Sequence, residues 1–123
     1  MGVKSLGKHL IVEFFGVDSK ILDDKELLEN VFVEAARRAG STVCGVFFHR
    51  FKPQGVAGVV VVSESHLSIH TWPEYGYAAM DIFVCGAADP WAAFHYCVDV
   101  LKPKMYNVVE VRRGILHHEG QPD

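Results

Sequence analysis

The sequence predicts an α+β fold, a two-layer sandwich in which two helices cover one face of a mainly antiparallel sheet. Two segments, 21–39 and 91–101, repeat apolar residues at helical spacing, each entered through a capping residue and left through Gly or Pro. Around them lie five or six short β-branched and aromatic runs divided by Gly and Pro. Strands separated by short turns pair antiparallel, and helices with one apolar face settle on the sheet they accompany. At 123 residues, half of them apolar, the chain suffices for a single domain with its own core.

Residues 10–15 form the first β-prone run. The stretch 21–39 places Leu22, Leu27, Leu28, Val31, Phe32, Ala35 and Ala36 on one helical face, with Asp18-Ser19 as N-cap and Gly40 as stop. Runs 43–51 and 56–62, bounded by Pro53, Gly55 and Gly58, read as paired strands. Residues 66–72 are a shorter strand, Pro73-Glu74-Tyr75-Gly76 a turn, and 77–84 a further strand. Asp89-Pro90 pairs an N-cap with a proline at the first helical position, and Trp91, Phe94, Val98 and Leu101 continue the helix to Lys102-Pro103. Residues 106–111 close the sheet, and 114–123 read as a frayed polar tail. Val59-Val60-Val61-Val62 is apolar on both faces of its strand, so the sheet face without helices needs a cover, and a homodimer is expected.

A net charge of −3 with no basic stripe argues against nucleic-acid binding. No run has the length of a membrane span and the first residues lack a signal-peptide core, so a cytoplasmic protein is expected. Cys44, Cys85 and Cys97 are an odd number without Cys-x-x-Cys spacing, which disfavours a disulfide framework or a zinc ribbon.

The chemistry concentrates in one segment, Ser63-Glu64-Ser65-His66-Leu67-Ser68-Ile69-His70-Thr71-Trp72-Pro73-Glu74-Tyr75-Gly76-Tyr77, which follows directly on an apolar strand. It closely resembles the processing segment of the short bacterial and archaeal S-adenosylmethionine decarboxylases. The resemblance extends from Gly7-Lys8-His9-Leu10 through Phe48-His49-Arg50-Phe51 and Gly55-Val56 to Cys85-Gly86 and Asp89-Pro90.

That resemblance implies a self-cleaving proenzyme. The Ser65 hydroxyl attacks the Glu64 carbonyl, the resulting ester is eliminated, and Ser65 becomes a pyruvoyl cofactor. The products are pieces 1–64 and 65–123, associating as a homodimer of such pairs. By the same resemblance the substrate is S-adenosylmethionine, which the pyruvoyl group holds as a Schiff base, and the product is the aminopropyl donor for spermidine. His70 matches the processing base; an imidazole suits proton transfer near neutrality. Cys85 matches the proton donor, a task for a protonated thiol. Glu74 matches the carboxylate that accepts from ribose hydroxyls. Phe51 matches the ring that stacks on adenine, and Trp72 is a second candidate for that slot.

One position departs from the pattern: where the family reads Gly-Val-Ser-Gly, this chain reads Gly55-Val56-Ala57-Gly58. Alanine offers no hydroxyl to the processing site, so cleavage is expected to be slow or absent unless another group, such as Ser68, substitutes. Two rival readings fit the sequence less well. One is a pyruvoyl decarboxylase of arginine or ornithine on the same scaffold, and the other a metal-binding module built on His66, His70, Cys85 and Asp81. The first lacks a use for Phe51, Trp72 and Glu74 together; the second lacks the close thiol pair of a zinc set.

Overall fold

In the computed structural model, which describes residues 3–117 and the side chains of 5–116, the chain runs through ten elements. They are β1 (Val3–Phe15), α1 (Ser19–Leu22), α2 (Lys25–Arg38), β2 (Thr42–Arg50), β3 (Val56–Ser63), β4 (Ser65–Trp72), a 3₁₀ turn (Pro73–Tyr75), β5 (Tyr77–Cys85), α3 (Pro90–Leu101) and β6 (Met105–His117). The strands form one sheet in the order β2-β3-β4-β5-β1-β6, and every neighbouring pair is antiparallel. The expected α+β sandwich is what forms.

Alternation along the strands divides their side chains between two faces. Leu10, Val12 and Phe14 of β1, Val60 and Val62 of β3, Leu67, Ile69 and Thr71 of β4, and Ala78, Met80, Ile82 and Val84 of β5 are all buried. Register keeps them on one face: Leu67 and Leu10 both lie opposite Ile82, and Ile69 and Val12 opposite Met80. Helices α2 and α3 pack on this face and contribute Leu28, Phe32, Ala35, Phe94, Cys97 and Leu101. Gly58 is required here because Phe48 lies across it, and a Cβ would overlap the ring.

The helical reading of 21–39 needs one correction. Asp18 caps a helix as expected, accepting from the Lys20 amide, but that helix ends at Leu22 and a second begins at Lys25. Asp24 starts it by accepting from Leu27 N–H at 3.0 Å. Asp23 turns away to the sheet side, where it accepts from Arg50 and from the Gly55 amide. Two adjacent aspartates with different partners break what apolar periodicity alone joins.

The outer strands are longer than their β-prone cores. β1 begins at Val3 because its Lys- and Gly-bearing first half is paired with β6, a case of tertiary pairing overriding local propensity. β6 runs past Gly114 to His117, so the start of the expected frayed tail is strand, while 118–123 lie outside the described residues.

On the face without helices, Ile11, Phe47, Val61 and Val109 remain exposed, Phe47 to 67%. Among the described residues no helix is long and apolar enough to cross a membrane.

Thr71 ties α1 to the sheet. Its buried hydroxyl donates to the Leu22 carbonyl at 2.7 Å and accepts from Val56 N–H at 2.9 Å. Thr71→Val keeps the shape and strands both backbone groups, so a loss of about 1–3 kcal/mol is expected in urea unfolding. An unchanged midpoint would show that water replaces the hydroxyl.

Candidate active site

β3 and β4 form a hairpin whose connection is Ser63-Glu64, since Val62 pairs directly with Ser65. Tight hairpins need a left-handed residue, and the sequence supplies no glycine there. The positive φ falls instead on Ser65, the first residue of β4, at 103°. Such a conformation in a residue with a Cβ stores on the order of 1–3 kcal/mol. The strain therefore sits beside the Glu64–Ser65 peptide bond.

Ser65 opens onto a cavity of ≈ 840 Å³ that Glu64, Phe83, Cys85 and Gly86 also line. Cys85 arrives because β5 runs beside β4, with Ser65 opposite Val84. On its other side Cys85 lies opposite Gly7 of β1, where an added Cβ would fall 3.0 Å from the Cys85 sulfur and 2.7 Å from the Phe83 ring. Gly7 thus makes room for both.

Around Phe83 the open face carries a polar network that the motif did not announce. His9 stacks on Phe83 with centroids 5.1 Å apart, the Arg113 guanidinium lies 4.6 Å from the ring centre, and His66 meets it edge-on at 5.9 Å. Arg113 lies 3.3 Å from His9 Nδ1 and has only donors, so Nδ1 accepts and Nε2–H donates to Asp81 Oδ1 at 2.8 Å. The other Asp81 oxygen accepts from Ser68 at 3.0 Å. Ser68, the suggested stand-in for the missing hydroxyl at Ala57, is therefore already engaged. The signal for this network was period-two spacing: Asp81, Phe83 and Cys85 share one face of β5.

The remaining expected site residues gather at the other end of β4. Phe51, Gln54, His70, Trp72 and Glu74 line a second cavity of ≈ 260 Å³. His70 stacks on Trp72 at 4.0 Å, and Phe51 approaches His70 at 5.8 Å. Ala57 is the cross-strand neighbour of His70. Trp72 leans on Tyr77, whose hydroxyl donates to Glu13 at 2.7 Å. That bond, with burial, pushes the Tyr77 hydroxyl up to about 12; the same bond, joined by one from Asn107, holds the Glu13 carboxyl below its ordinary range.

The structure thus brings Glu64, Ser65 and Cys85 together, and separately His70, Phe51, Trp72, Glu74 and Ala57. Five residues of extended strand place His70 about 16 Å from Ser65 along β4. Cys97 is fully buried, and burial pushes its thiol up to about 12, so it is packing. Cys44 is exposed on β2. Among the described residues no group of three or more His, Cys, Asp or Glu side chains is arranged to hold a metal ion.

Comparison with known proteins gives a consistent result. The family model for S-adenosylmethionine decarboxylase matches residues 8–114. An S-adenosylmethionine decarboxylase proenzyme of Caldicellulosiruptor saccharolyticus is 53% identical over 112 residues, covering 90% of each chain. One from Thermotoga petrophila is 52% identical over 122 residues, covering 98% of this chain and 94% of the relative. The crystal structure of the adenosylmethionine decarboxylase from Aquifex aeolicus superposes with a TM-score of 0.89 at 34% identity, over 97% of this chain and 99% of that one.

The second cavity depends on the Asp23 clamp, because Phe51 sits in a turn closed by its own N–H to Gly55 O at 2.7 Å. Asp23 accepts from the Gly55 amide at 2.9 Å and from Arg50 at 2.7 Å. These hydrogen bonds, Arg50's first, hold its carboxyl below the ordinary value of 3.8. The stability it contributes is present above that ordinary value and is lost as pH falls through the lower value of the fold. Asp23→Ala is expected to lower stability at pH 7 by about 1 kcal/mol, to speed exchange of the Gly55 amide, and to lose its disadvantage in strong acid. Matching melting curves for the two chains at pH 7 would contradict the clamp.

Proposed function

The chain belongs to the S-adenosylmethionine decarboxylase family, and from that premise we infer that it removes the carboxylate of S-adenosylmethionine after cutting its own backbone between Glu64 and Ser65. The product of that decarboxylation is the aminopropyl donor of polyamine synthesis. The observation that carries the self-cutting is Ser65 itself: a serine held at φ of 103° immediately after the bond it would attack, facing a cavity shared with Cys85.

The chemistry follows from these groups. Attack of Oγ on the Glu64 carbonyl carbon exchanges the amide for an ester and frees the Ser65 amine. Removal of the Ser65 α-proton then expels the Glu64 carboxylate, leaving dehydroalanine. Water replaces the nitrogen, ammonia departs, and residue 65 ends as a pyruvoyl group. The residues present fit such a group, since Ser65 fronts the larger cavity with Cys85 beside it. Once formed, it supplies an electrophilic ketone for the substrate amine and an electron sink as carbon dioxide leaves. Cys85 lies at the same cavity to return a proton to the α-carbon. Phe51 and Trp72 offer ring faces to adenine and to the sulfonium, and Glu74 accepts from ribose hydroxyls.

Two observations support a homodimer joined through the open faces. Exposed Ile11, Phe47, Val61 and Val109 make an apolar surface on the sheet, and His70 lies too far from Ser65 to act on it within one protomer. A two-fold arrangement of open faces turns the ends of β4 towards each other, so that the partner subunit's His70 serves Ser65. Each site then draws Ser65 and Cys85 from one protomer, with the nucleoside-binding rings from the other. Ala57, beside His70, enters the same composite site.

A hydroxyl aimed at a developing oxyanion is worth about 10²–10³ in rate, so this chain is expected to mature slowly and Ala57→Ser to cut faster by about that factor. Intact mass over time measures both, the products being 1–64 and 65–123; cleavage of the Ala57 chain complete within hours of purification would contradict the role of Ala57. Labelled carbon dioxide release from S-adenosylmethionine, with arginine and ornithine as controls, tests the substrate.

The composite site has its own test in the Ala57→Ser background. A Ser65→Ala chain and a His70→Ala chain, each uncut alone, are co-expressed. The His70→Ala chain is then expected to be cleaved, using the histidine of its partner. No cleavage in the mixed dimer would place His70 and Ser65 in the same protomer.

A further inference from the structure

His66 follows Ser65 directly at the start of β4. Neighbouring residues of a strand point to opposite faces, so Ser65 and His66 would ordinarily face apart. The left-handed backbone of Ser65 undoes that alternation and brings its Oγ to 3.4 Å from His66 Nδ1. Among the described residues, His66 is the hydrogen-bonding partner of the Ser65 hydroxyl. The imidazole is also held in place, edge-on to Phe83, which is itself stacked by His9 and covered by Arg113.

We propose that His66 is the catalytic residue that takes the Ser65 hydroxyl proton during the acyl shift, leaving His70 for a different proton. The role rests on the self-processing reading above. As Oγ bonds to the Glu64 carbonyl carbon, its proton passes to Nδ1. As the carbon–nitrogen bond breaks, the same proton passes from Nδ1 to the departing Ser65 nitrogen. No net proton, water or electron enters; an amide and a hydroxyl become an ester and an amine. The distance of 3.4 Å is long for a hydrogen bond and typical of a catalytic pair before reaction, which tightens as charge develops. Two protons must move at different stages, from Oγ first and from the α-carbon second, and two imidazoles at different places in the motif match that order.

The titratable groups near the imidazole are Glu64 in the preceding turn, Cys85 on the cavity that Ser65 lines, and Asp81 and His9 beyond Phe83. From β3 the register neighbour is apolar Val61. None of these is hydrogen-bonded to Ser65 Oγ among the described residues, so removal of His66 leaves the hydroxyl without an acceptor within the protomer.

Hydroxylamine distinguishes the stages, because it cuts the ester and not the amide. In the Ala57→Ser chain, spontaneous cleavage and hydroxylamine cleavage are followed by intact mass. His66→Ala and the size-conserving His66→Gln are expected to slow both by about 100-fold, the scale of a single acid–base group, because the ester no longer forms. Added imidazole is expected to restore the His66→Ala chain and not the His66→Gln chain, where the space is filled. His70→Ala is expected to retain hydroxylamine cleavage while losing the spontaneous one. Folded His66→Gln protein that hydroxylamine cuts at the rate of its parent overturns the assignment. If the Ala57→Ser parent itself is cut by neither route, the self-processing reading fails and the role falls with it.

Discussion

Everything in this molecule depends on the register of β4 between β3 and β5. One strand of eight residues sends Leu67, Ile69 and Thr71 into the core and His66, Ser68 and His70 to the open face. A slip of one residue would exchange those sets, burying imidazoles and exposing leucine and isoleucine. The core residues therefore hold the chemistry in place without touching it. Ile82 sits opposite both Leu67 and Leu10, and Met80 opposite both Ile69 and Val12, which locks β4, β5 and β1 as a unit. Thr71 adds a directional bond to α1 that apolar packing cannot supply.

The same alternation explains why the expected site residues gather at two separate ends of β4. Side chains that share a strand face are spaced along it, and nothing folds β4 back on itself. The Ser65 end is furnished by β5 through Phe83 and Cys85, while the Trp72 end is furnished by the 51–55 turn and by Glu74. Each end is supported separately. Phe83 is clasped by His9, Arg113 and His66, and the turn is clamped by Asp23. Between the ends, Asp81 joins His9 to Ser68 across three strands, filling the middle of the face with paired polar groups.

How far the sequence discloses this varies by residue, for physical reasons. Asp89-Pro90 predicts the start of α3 because capping and proline chemistry are local, and the motif from Ser63 to Tyr77 is dense enough to carry the family resemblance. The break between α1 and α2 was hidden because apolar spacing continues across it, and the cause, Asp23, lies in contacts with Arg50 and Gly55 that are distant in sequence. Gly7 enters only through the family resemblance, and its clearance for Cys85 and Phe83 depends on strand pairing across the sheet. His66 drew notice only as a metal candidate, because strand alternation places it away from Ser65, and only the backbone turn at Ser65 reverses that.

A cut between Glu64 and Ser65 would fall at a hairpin turn and leave the sheet's ladders intact. The piece 1–64 contributes β1, β2, β3, α1 and α2, and the piece 65–123 contributes β4, β5, α3 and β6. Strand order interleaves them, since β3 pairs with β4, and β1 lies between β5 and β6. Three hydrogen-bonded ladders therefore cross from one piece to the other, and α2 packs on α3 above them. Losing one covalent link at a hairpin turn removes none of these contacts, and it frees residue 65 from a strained backbone conformation. Cut there, a proenzyme of this topology would relieve strain at residue 65 while the sheet kept that residue beside Cys85.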